Sequence, residues 1–325
     1  MSDPIGNSER NPGQSPEHGS EPEMGGAREG LKKFAFVAVV GRPSVGKSTL
    51  VNALCHAKVA IVSPVPQTTR NAIRGILNRD EGQLVFIDTP GQHLSDKKFN
   101  RKLIDVAGRA VVESELALYV LDATRKPGPE EEAVLQRLQG RVSRLVVGIN
   151  KCDLPGADPA MVQSFIQSHL PTLPLDRCYS ISALQGQNIE SLIQGLYAMA
   201  DPGDPAYPEE YYTDQELSFR IAEIIREKAI NRLRQELPHA IYVEVADTEL
   251  REEGTRLWIR AFIVAERESQ KGIIVGKGGS MIKAIREAAQ KDLNRILDWK
   301  VELDLRVKAR GDWRSRDGLL QKLIN

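Results

Sequence analysis

Gly41-Arg42-Pro43-Ser44-Val45-Gly46-Lys47-Ser48 fits the phosphate-loop pattern G-x-x-x-x-G-K-[ST], and its neighbours give it the right frame. Phe34-Ala35-Phe36-Val37-Ala38-Val39-Val40 is an apolar, β-rich run leading in, and Thr49 to His56 read as a helix leading out. Glycines at 41 and 46 let the backbone turn tightly, so successive N–H groups converge on a phosphate at a helix N-terminus. Lys47 is placed to reach the β- and γ-phosphates, where it also serves catalysis, and the Ser48 hydroxyl to ligate Mg²⁺. The loop and its exit (Gly41, Arg42, Pro43, Ser44, Val45, Gly46, Lys47, Ser48, Thr49) are therefore candidate nucleotide contacts. The fold class this predicts is α/β, a P-loop NTPase.

The base is read elsewhere. Asn150-Lys151-Cys152-Asp153 follows a second buried-strand run, Leu145-Val146-Val147-Gly148-Ile149. A carboxylate in the plane of guanine accepts from N1–H and from the exocyclic amine. Adenine offers neither donor in that geometry, and a buried Asp153 left unpaired is the expensive outcome. Asn150, Lys151 and Asp153 thus predict GTP and GDP as ligands and oppose an ATP-dependent kinase.

Between these motifs, Asp88-Thr89-Pro90-Gly91 closes the apolar run Leu84-Val85-Phe86-Ile87. Asp88 is suited to hold Mg²⁺ through water, and the Gly91 N–H to bond a γ-phosphate, so that the next loop senses hydrolysis. Thr89 and Pro90 complete the candidate contacts there. Upstream, Gln67-Thr68-Thr69-Arg70 offers hydroxyls for the metal, with Thr69 preferred to Thr68. Ser182 and Ala183 follow the strand Cys178-Tyr179-Ser180-Ile181, where a backbone N–H is expected to meet guanine O6. All these motifs sit at strand ends, where open α/β sheets bind their ligands.

The chain has 325 residues, zero formal net charge and 41% hydrophobic residues, as in an ordinary soluble globular protein of two domains. Its three cysteines lack C-x-x-C spacing and fit a reducing compartment better than a disulfide frame. Residues 1–30 are rich in Gly, Pro, Ser and Glu and read as a disordered tail. The nucleotide domain is expected over 31–200. Residues 201–214, with three prolines and a glycine near their start, read as a linker.

Residues 215–310 change character. An amphipathic helix from Gln215 is expected to end near Leu237-Pro238. Two alternating strands, Ile241 to Ala246 and Leu257 to Val264, precede Gly272 to Ser280 and a helix from Met281 to Leu297. A strand from Val301 to Val307 comes last, and 311–325 is left as a C-terminal tail. Helix, strand, strand, helix, helix, strand with G-x-x-G between the paired helices is the layout of an α+β, type II KH domain. Gly276-Lys277-Gly278-Gly279 would clamp a single-stranded nucleic-acid backbone, because only glycines let the main chain approach the phosphates so closely. Ile273, Ile274, Val275 and Ile282 are expected to line the adjacent groove, with Lys277 and Lys283 among its basic residues.

Together, the phosphate loop, Gln-Thr-Thr-Arg, Asp-Thr-Pro-Gly, Asn-Lys-x-Asp and the C-terminal G-x-x-G domain resemble the Era GTPase family, from about Phe34 to Arg310. The resemblance implies a Ras-like, Mg²⁺-dependent GTP hydrolase with a type II KH domain. It also implies binding near the 3′ end of 16S ribosomal RNA during assembly of the 30S subunit. A cytoplasmic, monomeric protein with peripheral association at the bacterial inner membrane completes that picture. Two positions depart from the family pattern. Ser44 stands where Asn is common, which leaves open a monovalent cation beside the nucleotide. Gln92 follows Asp-Thr-Pro-Gly where an apolar residue is usual. It is a candidate to orient the attacking water, against a loop side chain facing solvent.

Overall fold

Strands that are apolar at every position need cover on both faces, which parallel sheets obtain from the helices connecting them. A computed structural model of the chain, describing residues 32–66, 68–91 and 98–324, shows this arrangement in its first half. The expected tail at 1–30 and Gln92 lie outside the described residues. In chain order come β1 (Lys33–Val40), α1 (Lys47–Leu54), β2 (Ile73–Arg79), β3 (Gly82–Asp88), α2 (Lys98–Glu113) and β4 (Leu116–Asp122). They are followed by α3 (Pro129–Leu138), β5 (Leu145–Asn150), α4 (Pro159–His169), β6 (Cys178–Ser180) and α5 (Ile189–Met199). The sheet order is β2-β3-β1-β4-β5-β6, with β2 antiparallel to β3 and the rest parallel.

Every residue of β4 and β5 is buried. Leu50, Val51 and Leu54 of α1 and Leu192, Ile193 and Leu196 of α5 cover one face of the sheet. Val134, Leu135 and Leu138 of α3 and Val162 and Ile166 of α4 cover the other. The register sets Val39 of β1 beside Asp88, and Asp122 beside Asn150. Three motifs therefore arrive together at the carboxyl ends of their strands.

The linker is tied to the sheet along its length. β7 (Asp201–Pro202) pairs antiparallel with Lys33 and Phe34. The Gln83 side chain accepts from the Ala206 and Tyr207 N–H groups, and Asn78 donates to the Glu209 and Tyr211 carbonyls. Finally the Ile76 N–H of edge strand β2 donates to the Tyr212 carbonyl at 3.0 Å.

The second domain runs α6 (Leu217–Ile230), β8 (Ile241–Arg251), β9 (Arg256–Ala265), α7 (Glu268–Val275), α8 (Ser280–Ile296) and β10 (Lys300–Ala309). β9 lies between an antiparallel β8 and a parallel β10. Its inner residues Leu257, Ile259, Ala261 and Ile263 meet Ile221, Ile225, Ile285 and Leu293 of α6 and α8. Two boundaries differ from expectation. α6 ends at Ile230, where the Arg232 and Leu233 N–H groups both fold back on the Ala229 carbonyl. Leu233 and Leu237 still turn into the core, and their spacing from Ile230 imitates a longer helix. β8 continues to Arg251 past a bulge between Val245 and Asp247. Beyond that bulge its residues are mostly exposed, so no alternation marks the extension.

The last segment is not the tail that the sequence suggests. Trp313 is completely buried, its indole N–H donates to the Ala240 carbonyl at 3.0 Å, and its ring meets Tyr242 edge to face at 5.0 Å. α9 (Asp317–Leu323) brings Leu320 into one apolar cluster with Trp313, Tyr242 and Leu103 and Val106 of α2. One tryptophan and a seven-residue helix are too little for a periodic signal. We expect Trp313→Ala to cost about 3–5 kcal/mol, as for other fully buried aromatics. Denaturant unfolding of the full chain measures it, and a loss within error of zero would mean that the segment is held elsewhere.

Candidate functional site

β1 delivers the phosphate loop and α1 receives it, with Gly46 at φ +97° as the turn between them. A side chain at 46 would put its Cβ 2.5 Å from the Asn150 amide nitrogen. Lys47 is buried, and its ammonium curls back to donate to the Gly41 and Arg42 carbonyls at 3.2 and 3.0 Å. The Ser48 hydroxyl donates to Asp88 Oδ2 at 2.6 Å and lies 2.9 Å from the Thr69 hydroxyl, which is 3.4 Å from the same oxygen. Asp88 Oδ1 is buried with no hydrogen-bond partner. Two hydroxyls and a carboxylate with one orphan oxygen form a hard, oxygen-only donor set, which suits Mg²⁺. Thr89 donates to the Val39 carbonyl at 2.8 Å, and Gly91 lies against Pro43 of the loop. Pro90, between them, is buried.

Asn150 ties the two halves of the site together. Its amide donates to the Val45 carbonyl at 2.8 Å and accepts from the Ala183 N–H at 2.9 Å. The Lys151 ammonium donates to the Ser44 carbonyl at 2.7 Å and to Asp122 Oδ2 at 2.6 Å. Asp153 stands at the mouth of the same cavity but is exposed, so its penalty for a wrong base arises only when a base covers it. The Ser182 N–H is taken by the Gln187 carbonyl. A base oxygen would then share the Ala183 N–H with Asn150. The cavity of about 480 Å³ is lined by Lys47, Ser48 and Thr69 at one end and by Lys151, Asp153 and Leu184 at the other.

In the second domain, α7 stops at Gly276 and α8 starts after Gly279, and three glycines there carry positive φ (75°, 59° and 78° at 276, 278 and 279). A Cβ on Gly276 would sit 2.7 Å from that of Met281. Lys277 and Lys283 are exposed on this turn and the first turns of α8. Ile274 does not line a groove: it is fully buried in the domain core. Helical rotation turns it inward and presents the preceding Ile273, 58% exposed, instead.

Residues 36–151 match the family described as 50S ribosome-binding GTPase, and residues 236–314 match the KH domain. GTPase Era of Treponema denticola is 45% identical over 287 residues, 88% of this chain and 98% of the relative. The chain belongs to the Era family of GTPases. GTPase Era of Borreliella burgdorferi is also 45% identical, over 90% of this chain and its own full length. A crystal structure of an Aquifex aeolicus Era variant bound to GDP·AlF4⁻ superposes with a TM-score of 0.84 at 35% identity, covering 89% of this chain and 98% of that one. A second crystal structure, of Era in complex with MgGDPNP and nucleotides 1506–1542 of 16S ribosomal RNA, gives the same TM-score at 34% identity and the same coverage.

Two supports of this Era-family site are absent from its linear motifs. Asp122 ends β4 and is held by the Thr124 N–H and hydroxyl while its other oxygen takes Lys151. Glu131 of α3 accepts from Arg42 at 2.9 Å, and Glu130 lies 3.2 Å from the same guanidinium. Arg42 therefore pins the loop to α3 through its side chain. A single carboxylate ending an apolar strand was the only sign of Asp122.

Burial dominates the charges at the metal end. It pushes the Asp88 carboxyl up to about 6, although the Lys47 charge pulls the other way, and it lowers Lys47 to about 8. A folded-state value above the unfolded 3.8 means that the fold takes up a proton as pH falls from about 6 toward 3.8. Over that window Asp88 makes the nucleotide-free chain more stable as pH falls and less stable as it rises. Asp88→Asn should raise the thermal midpoint of nucleotide-free protein in chelator at neutral pH and flatten this part of the pH profile. A lower midpoint would show that the carboxylate is repaid inside the fold.

Proposed function

We propose that this Era-family chain hydrolyses GTP to GDP and phosphate with Mg²⁺, and couples that reaction to RNA held by its KH domain. The observation that carries the reading is that one cavity has a phosphate and metal set at one end and a guanine set at the other. Ser48 and Thr69 would hold the metal directly and Asp88 through water. When bound, Mg²⁺ supplies positive charge to the β- and γ-phosphate oxygens. Lys47 and the loop N–H groups stabilise the charge that builds as water attacks in line. The proposed role of Gln92 is to orient that water. Ser44, exposed on a positive-φ turn, is the position beside which a monovalent cation would sit.

For the RNA, the solved relative that holds nucleotides 1506–1542 of 16S ribosomal RNA supports the 3′ end of the small-subunit RNA as target, with a role in 30S assembly. Gly276, Lys277, Gly278, Gly279 and Lys283 would hold its backbone, and exposed Ile273 offers a face for a base. Cytoplasmic location, a monomeric state and peripheral contact with the inner membrane are supported by family membership alone. Among the described residues no helix is long and apolar enough to cross a membrane.

Asp153→Asn should lower GTP affinity by about 100-fold, since both guanine donors lose a charged acceptor. Competition against a fluorescent GDP measures it, and unchanged affinity would remove Asp153 from base recognition. Gly278→Asp with Gly279→Asp should abolish binding of an oligonucleotide carrying the 16S 3′ sequence and leave GDP affinity within about twofold. Retained RNA binding would end the KH reading.

A further inference from the structure

From Lys32 onward the chain clusters as one compact unit. Both domains hold the stretch between α1 and Thr69: Asn52 of α1 binds the Val59 and Ala60 N–H groups and the Ala60 carbonyl, and the KH domain holds the rest. Lys58 donates to Glu227 at 2.6 Å and to Asp292 at 3.0 Å. The Val59 carbonyl accepts from Gln215, and the Val62 N–H donates to Glu227 at 2.9 Å. Ile61 is buried inside the apolar core of the second domain. The contacts tighten at the metal end. Arg226 of α6, 3% exposed, donates one N–H to the Thr68 carbonyl at 2.6 Å while its fork is locked on Glu223 at 2.7 and 2.6 Å. On the other side, Arg70 donates to the Ile241 carbonyl at 3.0 Å and lies over the ring of Trp313 at 5.6 Å.

Thr69 is thus clamped on both flanks by residues of, or resting on, the KH domain, while its hydroxyl sits beside Ser48 and Asp88 at the metal end of the site. The geometry points to Arg226 as a positioning residue for the reaction: the KH domain sets the Thr69 hydroxyl in place for the metal through the Thr68 carbonyl. This rests on the reading of Thr69 as a metal ligand. An arginine suits the task because its planar fork is oriented by Glu223 before it reaches Thr68, so little freedom is lost on contact. A group that orients a metal ligand commonly governs metal affinity by about 10- to 100-fold. The GTPase site is then completed by the other domain of the same chain. GDP binding, which uses the loop and the base motif, does not depend on it.

The test uses full-length Arg226→Lys, which keeps a cation beside Glu223 but loses the planar two-nitrogen fork on Glu223 that aims Nη2 at the Thr68 carbonyl, on a shorter side chain. Paired Arg226→Leu and Glu223→Leu removes both charges if the first variant unfolds. With bound GDPNP and Mg²⁺, amide hydrogen exchange at 68–70 should accelerate about tenfold or more. The Mg²⁺ concentration that half-slows release of fluorescent GDPNP should rise about tenfold, with GDP affinity within about twofold of the parent. A folded variant with exchange and Mg²⁺ midpoint unchanged overturns the inference, as does a loss of GDP affinity equal to that of GDPNP. Thr69→Ala serves as the control. If it leaves the Mg²⁺ midpoint unmoved, the ligand reading of Thr69 has failed; if it raises the midpoint and the Arg226 variants do not, only this inference has.

Discussion

Asp88 has no exposed surface and one of its two carboxylate oxygens has no partner, so the fold carries a charge that it does not fully solvate. Burying a charge in that way is costly unless something else compensates it. The rest of the site is arranged around this cost. β3 carries the carboxylate to the end of the central sheet, α1 brings Ser48 to one oxygen, and Lys47 lies close enough to pull its ionisation back. Thr69 comes from a segment that the first domain does not hold alone. A local instability in the nucleotide-free state is thereby converted into affinity for a ligand of opposite charge.

Held like this, the two domains cannot be read as independent modules on a tether. Lys58, Lys228, Glu227 and Asp292 form an alternating ring of charge, and Asp292 belongs to α8, the helix that starts at the G-x-x-G turn. Whatever shifts residues 58–70 must therefore act on the two helices that frame the KH core. A ligand moves such an equilibrium only by its differential affinity for the two arrangements. The γ-phosphate end of the cavity, where Thr69 lies, is where GTP and GDP differ. The reciprocal follows by linkage: anything that steadies α6 from the RNA side also steadies Thr69.

The sequence made legible those parts in which one short stretch does one job. The phosphate loop, Asn150 to Asp153 and Asp88 to Gly91 each lie at the end of an apolar strand, and their order disclosed the nucleotide domain. The glycine turn between two helices disclosed the second. What stayed hidden depends on pairs of residues far apart in the chain. Arg226 reads as a charge on a solvated helix face until Thr68 stands opposite it, 158 positions away. Trp313 reads as part of a tail until Ala240 and Tyr242 close over it. Ile273 and Ile274 are indistinguishable in composition; only the rotation of α7 decides which is core and which is surface. Asp122 shows the same limit, since nothing in its local sequence announces that it will neutralise Lys151.

The strapping of residues 201–214 along β1, β3 and β2 has a consequence for how the chain is made. β2 is one of the two edge strands of this sheet, and a bare strand edge is a template for pairing with another chain. Its cover arrives late, because Glu209 to Tyr212 follow the whole nucleotide domain in the sequence. During synthesis the first domain has a window in which its fold is nearly complete and its edge is still open. Closure awaits the emergence of the segment that leads into the RNA-binding half. An RNA-binding protein of this family thus exposes an open strand edge while it is itself still attached to a ribosome, and it loses that edge as its second domain begins to emerge.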